Sequence, residues 1–142
     1  MRAGVHHATF PLLWRGARVG IASRAFGPTT SGGPVWSTGT RHGYGFDSGS
    51  GKCYHAEHGT GSRFEKAQSH DLSGSAPAAK GDTIRLTLDF AQATLAVEKN
   101  GRWLGVMCCG AGFRQWLPQN AACCWAVELW NSAVQIESSL GR

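Results

Sequence analysis

The segment GDTIRLTLDFAQATLAVEKNGRWLGV, running from Gly81 to Val106, decides the fold of this chain. It opens with strict alternation, Ile84, Leu86, Leu88 and Phe90 on one parity and Thr83, Arg85, Thr87 and Asp89 on the other. Successive side chains of a strand point to opposite faces, so this is the pattern of a half-buried strand. Two further runs, Thr94 to Lys99 and Arg102 to Val106, meet across Asn100-Gly101. Asn-Gly is the strongest short hairpin signal, because both central residues of a type I′ turn need positive φ. Three antiparallel strands in so short a span predict an all-β sandwich or barrel.

Outside this segment the same reading continues. Val5 to Trp14 is expected as a first strand, with Pro11 suited to an edge or a bulge because it cannot donate to a ladder. Arg15-Gly16-Ala17 reads as a turn and Arg18 to Ser23 as a second strand. Residues 27–41 are rich in Gly, Pro, Ser and Thr and read as a loop carrying Trp36. GYGFD (Gly43 to Asp47) and KCYH (Lys52 to His55) read as two short strands joined by a Ser-Gly turn. Ala56 to Lys80 is polar and glycine-dotted, a long loop of the kind that tends to be functional or mobile. Trp125 to Trp130 and Ala133 to Glu137 complete the strands. Helical periodicity is nearly absent, and Gly112 to Cys123 is expected to hold one short turn at most.

The chain has 142 residues, enough to bury a core as one domain spanning 1–142. Twenty glycines and short apolar runs suit a β protein, and no run approaches the ~20 residues that span a bilayer. The net charge is +5 and unevenly spread. Before Asp47 there are Arg2, Arg15, Arg18, Arg24 and Arg41 and no acid; from Asp47 onward acids and bases balance. Arg15, Arg18, Arg24 and Arg41 are therefore candidates for a basic surface facing nucleic acid or an acidic partner. Solvated arginines on a β surface are the simpler reading. An Arg-rich, acid-poor start also suits a mitochondrial presequence, but the strand pattern from Arg18 argues against one. The expected location is the cytoplasm or the nucleus. The cysteines, Cys53, Cys108, Cys109, Cys123 and Cys124, are expected as small buried apolar residues in a reducing compartment. Each adjacent pair should turn one thiol inward and one outward.

Catalytic patterns are missing from the sequence. No serine stands in G-x-S-x-G, and Gly51-Lys52 lacks the rest of a phosphate loop. His55 and His58 are followed by glycines with no third ligand, so no metal is expected, nor any cofactor. Asp82 and Asp89 fall on opposite faces of a regular strand, which does not suit a pair of acid/base carboxylates; Asp82 reads as a turn residue. The six tryptophans are more informative. Trp125 and Trp130 have opposite parity, which predicts one in the core and one near a surface, where aromatic anchors dominate recognition.

Taken together, GDTIRLTLDF, TLAVEKNGRWLGV and CWAVELWNSAVQIES resemble the core signature of a SPRY domain, with RVGIAS and GYGFD similar to its upstream strands. KCYHAEHG is similar to the Tyr-His segment of the SOCS-box subfamily. The likeness covers Val5 to Ser138; HHATFPLLW and Cys123-Cys124-Trp125 depart from the pattern, and the loop 56–80 has its own sequence. The resemblance implies a bent, concanavalin-like sandwich of two antiparallel sheets with little or no helix and no cofactor. It implies a non-catalytic module that binds a partner protein or short peptide through loops at one face. By motif match the docking positions fall on Tyr54, Trp130 and the adjacent Leu129. The domain is expected as a monomer or as one part of a larger chain. The alternatives are a basic nucleic-acid-associated surface, as in helicase-linked SPRY proteins, and a lectin-like or hydrolytic sandwich.

Overall fold

The computed structural model describes residues 3–13, 16–23, 43–55, 68–72, 77–119, 122–129 and 137–140. They form ten strands and one helix: β1 (Val5–Pro11), β2 (Ala17–Ala22), β3 (Gly43–Asp47), β4 (Lys52–His55), β5 (Gln68–Asp71), β6 (Thr83–Asp89), β7 (Thr94–Lys99), β8 (Arg102–Cys108), α1 (Gly110–Gln119), β9 (Cys124–Leu129) and β10 (Glu137–Leu140). The strands make two five-stranded sheets, β10-β1-β6-β7-β8 and β5-β4-β3-β2-β9, and every pairing is antiparallel. The all-β sandwich read from the sequence is the observed architecture.

The alternation in β6 works as the period of a strand requires. Ile84, Leu86 and Leu88 are fully buried, while Thr83, Arg85 and Thr87 lie on the outer face. The sheets meet through Ala8, Phe10 and Leu12 of the first and Val19, Ile21 and Phe46 of the second. At one side of the sandwich the Phe10 ring meets Trp125 edge-on at 6.4 Å, so β9 lies over β1. At the other side Leu72, just past β5, packs over Gly105 of β8. The Asn100-Gly101 turn has φ of 52° and 76°, the two left-handed residues a type I′ hairpin demands.

Four expectations are corrected. The segment Gly112 to Cys123 was expected to hold one short turn, yet α1 is a ten-residue helix. Gly110, Gly112 and Pro118 are poor helix formers, but Phe113, Trp116 and Leu117 recur at helical spacing and are all buried. Phe113 and Trp116 both meet Tyr44 edge-on, at 5.0 and 5.1 Å, so tertiary packing overrides weak propensity. The loop read over Ala56 to Lys80 contains β5, whose Gln-Ser-His-Asp carries no apolar alternation. Pro11 is not on an edge strand: β1 is internal, but β10 reaches only as far as Thr9, and Pro11 lies beyond it. The last strand, expected over 133–137, is described over Glu137–Leu140, residues 130–136 lying outside the described set.

The cysteine pairs alternate as expected, with Cys108 and Cys123 buried and Cys109 and Cys124 exposed; Cys53 is also buried. Burial raises the Cys123 thiol to about 11 and the Cys108 thiol well above its ordinary value. These groups stay protonated and behave as small hydrophobes.

Residues 77–82 clip the two sheets together at one end. The Ala78 N–H donates to the Ser48 carbonyl in the β3–β4 turn, and the Gly81 N–H donates to the Leu12 carbonyl beside β1. Asp82 holds this clip. Its carboxylate accepts from the Ala79 N–H and from the Asn100 side-chain amide, both at 2.8 Å, with Lys99 Nζ 3.5 Å away. Asn100 Oδ1 in turn accepts from the Thr83 N–H. Asp82 is thus a turn residue, as read. Asp89 does the same at the other end of β6, accepting from the N–H groups of Ala91 and Gln92.

Two predictions follow from this packing. Trp116→Ala should cost about 3–5 kcal/mol in denaturant unfolding, the range for a fully buried large aromatic. Trp103→Ala, at a side chain 56 % exposed, should change stability by less than about 0.5 kcal/mol. The second concerns pH. The Asn100 and Ala79 hydrogen bonds, with Lys99, lower the Asp82 pKa below its ordinary 3.8 against the opposing effect of burial. Its contribution to stability is therefore fully present above 3.8 and is lost as pH falls through the lowered value. The melting-temperature gap between wild type and Asp82→Asn should be constant near neutral pH and close below pH 3.8. A gap that persists unchanged into strong acid would contradict this account.

Candidate functional site

The outward face of the second sheet is built by register. On β2, β3 and β4 the residues Val19, Phe46 and Cys53 turn inward, so Arg18, Gly20, Gly45, Asp47, Lys52 and Tyr54 turn outward. Tyr54 pairs with Gly45, Gly45 with Gly20, and Gly20 with Ala126. This row is a floor of small residues with one aromatic ring at its end. Gly20 has no substitute there, because a Cβ would overlap the Tyr44 carbonyl oxygen. The next row along the strands carries charge: Lys52 pairs with Asp47, and Asp47 with Arg18.

Tyr54 does not stand alone. The Arg18 guanidinium carbon lies 4.2 Å from the centroid of its ring, a cation–π contact. β3 separates the two strands, and Gly45, the residue opposite Tyr54, brings no side chain to obstruct the crossing. Arg18 is held from the other side by Asp47, with Arg18 Nη2 3.6 Å from Asp47 Oδ2; both side chains are largely buried. Asp47 is itself fixed, its Oδ1 accepting from the N–H of Gly49 at 2.8 Å and of Ser50 at 3.2 Å. A chain of contacts thus runs from the β3–β4 turn through Asp47 and Arg18 to the ring of Tyr54.

Among the residues singled out from sequence, the structure brings Arg18 and Tyr54 together. Sequence reading placed them in separate proposals, a basic surface and a docking anchor, and did not single out Asp47. Arg18 is engaged with Asp47 and Tyr54, so its charge is partly neutralised within the fold. Arg15, Arg24 and Arg41 lie outside the described residues, as do Trp130 and His58. Leu129 ends β9 opposite Ala17 and is 50 % exposed. It is three residues along from Ala126, so it has the inward parity of Val127 and Trp125. Three interstrand spacings put β9 about 14 Å from β4, and Leu129 lies about 10 Å further along the strand. Tyr54 and Leu129 therefore cannot line one side-chain pocket, and by register their side chains leave opposite faces of the sheet.

Trp125 is the inward member of the tryptophan pair, packed against the core. Trp103, just past the hairpin turn, is exposed on the outer face of the first sheet opposite Glu98. On that face His7 Nδ1 lies 3.0 Å from Thr87 Oγ1, and Arg85 pairs with Glu98 at 3.7 Å. Burial, with the nearby Arg85 charge, lowers the His7 pKa, which favours the neutral ring.

No protein-family model matches the sequence, and a search of curated proteins returns no match. Solved structures do match. The crystal structure of the SPRY domain of human HERC1 superposes with a TM-score of 0.62 at 16% identity, over 99% of this chain and 77% of that one. At that identity the likeness speaks for architecture alone. The chain has a SPRY-like fold.

Proposed function

We propose that this chain is a non-catalytic protein-interaction module that docks a short extended segment of a partner protein against Tyr54. The observation that carries this reading is the mounting of Tyr54. A partly buried ring stands beside a floor of Gly20, Gly45 and Ala126 and is backed by a guanidinium, on the outward face of the second sheet. Large aromatic rings that lose little entropy on binding are the usual energetic anchors of interfaces. By motif resemblance, Trp130 supplies the second contact. The separation between β4 and β9 suits a segment of about five to seven extended residues rather than one inserted side chain. SPRY domains as a class bind proteins, which supports the same coarse role.

Tyr54→Ala and Trp130→Ala should each weaken partner binding by about 2 kcal/mol or more, roughly 30-fold, while thermal unfolding stays cooperative. Affinity capture with mass spectrometry on wild type and both variants side by side reads this directly. Recovery of the same partners at the same yield from both variants would sink the proposal.

A further inference from the structure

We infer that Arg18 is the specificity-determining residue of the Tyr54 anchor, occupying one face of its ring and so disfavouring cationic side chains in the docked segment. The inference rests on the reading of Tyr54 as a docking anchor and adds the chemistry of what it accepts.

An aromatic ring attracts cations through the negative potential of its face. In Tyr54 that potential is already engaged by the Arg18 guanidinium at 4.2 Å. The arrangement is built, not incidental. Asp47 draws Arg18 into place, two backbone N–H groups of the following turn lock the Asp47 carboxylate, and Gly45 leaves the path over β3 clear. Arg18 is also largely buried, so it does not swing into solvent at little cost. A lysine or arginine of a partner approaching Tyr54 therefore meets a ring of which one face is already taken by a cation. Apolar, amide or acidic side chains meet no such obstacle. Asp47 does not reverse this preference, because its carboxylate oxygens already serve Gly49, Ser50 and Arg18.

The test has two arms. The first needs no partner. The chain has two tyrosines, and the other, Tyr44, is buried against Phe113 and Trp116, so ¹³C-tyrosine spectra hold two assignable ring systems. Arg18→Met should shift the Tyr54 ring signals and leave those of Tyr44 in place. Unmoved Tyr54 signals would overturn the inference whatever becomes of the anchor. The second arm selects peptides from a random-sequence library on wild type, Arg18→Lys and Arg18→Met, keeping those whose binding is lost on Tyr54→Ala. Lys and Arg should be depleted in the wild-type and Arg18→Lys pools. In the Arg18→Met pool they should rise about fivefold, the worth of one exposed cation–π contact. Equal Lys and Arg content in all three pools would overturn the inference while leaving the anchor intact. Pools that bind Tyr54→Ala as well as wild type would instead overturn the anchor reading. Should Arg18→Met fail to fold with Asp47 left uncompensated, the Arg18→Met/Asp47→Asn double variant carries both arms.

Discussion

Asp47 and Ser48, side by side at the end of β3, are the corner on which the rest of the molecule depends. Ser48 is fully buried, and its groups all find partners. Its N–H and hydroxyl donate to the Ala17 carbonyl, its Oγ accepts from the Ala17 N–H, and its carbonyl accepts from Ala78. A buried serine left unsatisfied costs about 1–3 kcal/mol, so these bonds fix where β2 begins and where the 77–82 clip must cross. Asp47, one residue earlier, points to the opposite face and organises Arg18 and Tyr54. The same two residues therefore hold the sheets in relation to each other and set the outward face that the proposed docking uses.

That coupling explains why the outward face of the second sheet combines small residues with a buried charge pair. Partly desolvated ion pairs repay their solvation cost only with good geometry and further hydrogen bonds. Asp47 has them, through Gly49 and Ser50, and Arg18 has the Tyr54 ring. Glycine at 20 lets β2 and β3 approach, and neither Gly20 nor Gly45 brings a side chain to the outward face. A face held rigid from below is what a binding surface needs if little ordering entropy is to be lost on association.

Much of the architecture was legible from residue pattern. Strict alternation in β6, the Asn-Gly turn and the glycine-bounded runs of β2, β3 and β4 all named their elements, because each is a local signal. What escaped was non-local. β5 pairs through its backbone with β4 and bears no apolar stripe, so nothing in Gln68–Asp71 marks it. α1 forms in spite of its glycines and proline, since Phe113 and Trp116 find Tyr44, far away in the chain. Trp116, the largest fully buried side chain, was passed over for the same reason. At the candidate site, Tyr54 was reached through a short motif and Arg18 through charge. Their contact depends on the register of three strands, which no single-sequence pattern encodes.

The alternating cysteines give the molecule a means of timing its own opening. Cys109 and Cys124 stand exposed beside Cys108 and Cys123, which are buried with their thiols held protonated, and Cys53 is buried on β4. A thiol reagent meets two sites at once in the closed molecule and the other three only as fast as the sandwich parts. Labelling at Cys53 and Cys108 then follows separation of β4 from β8, and labelling at Cys123 follows undocking of the strand that enters β9. The slow phases would rank the free energies of these local openings without any added probe.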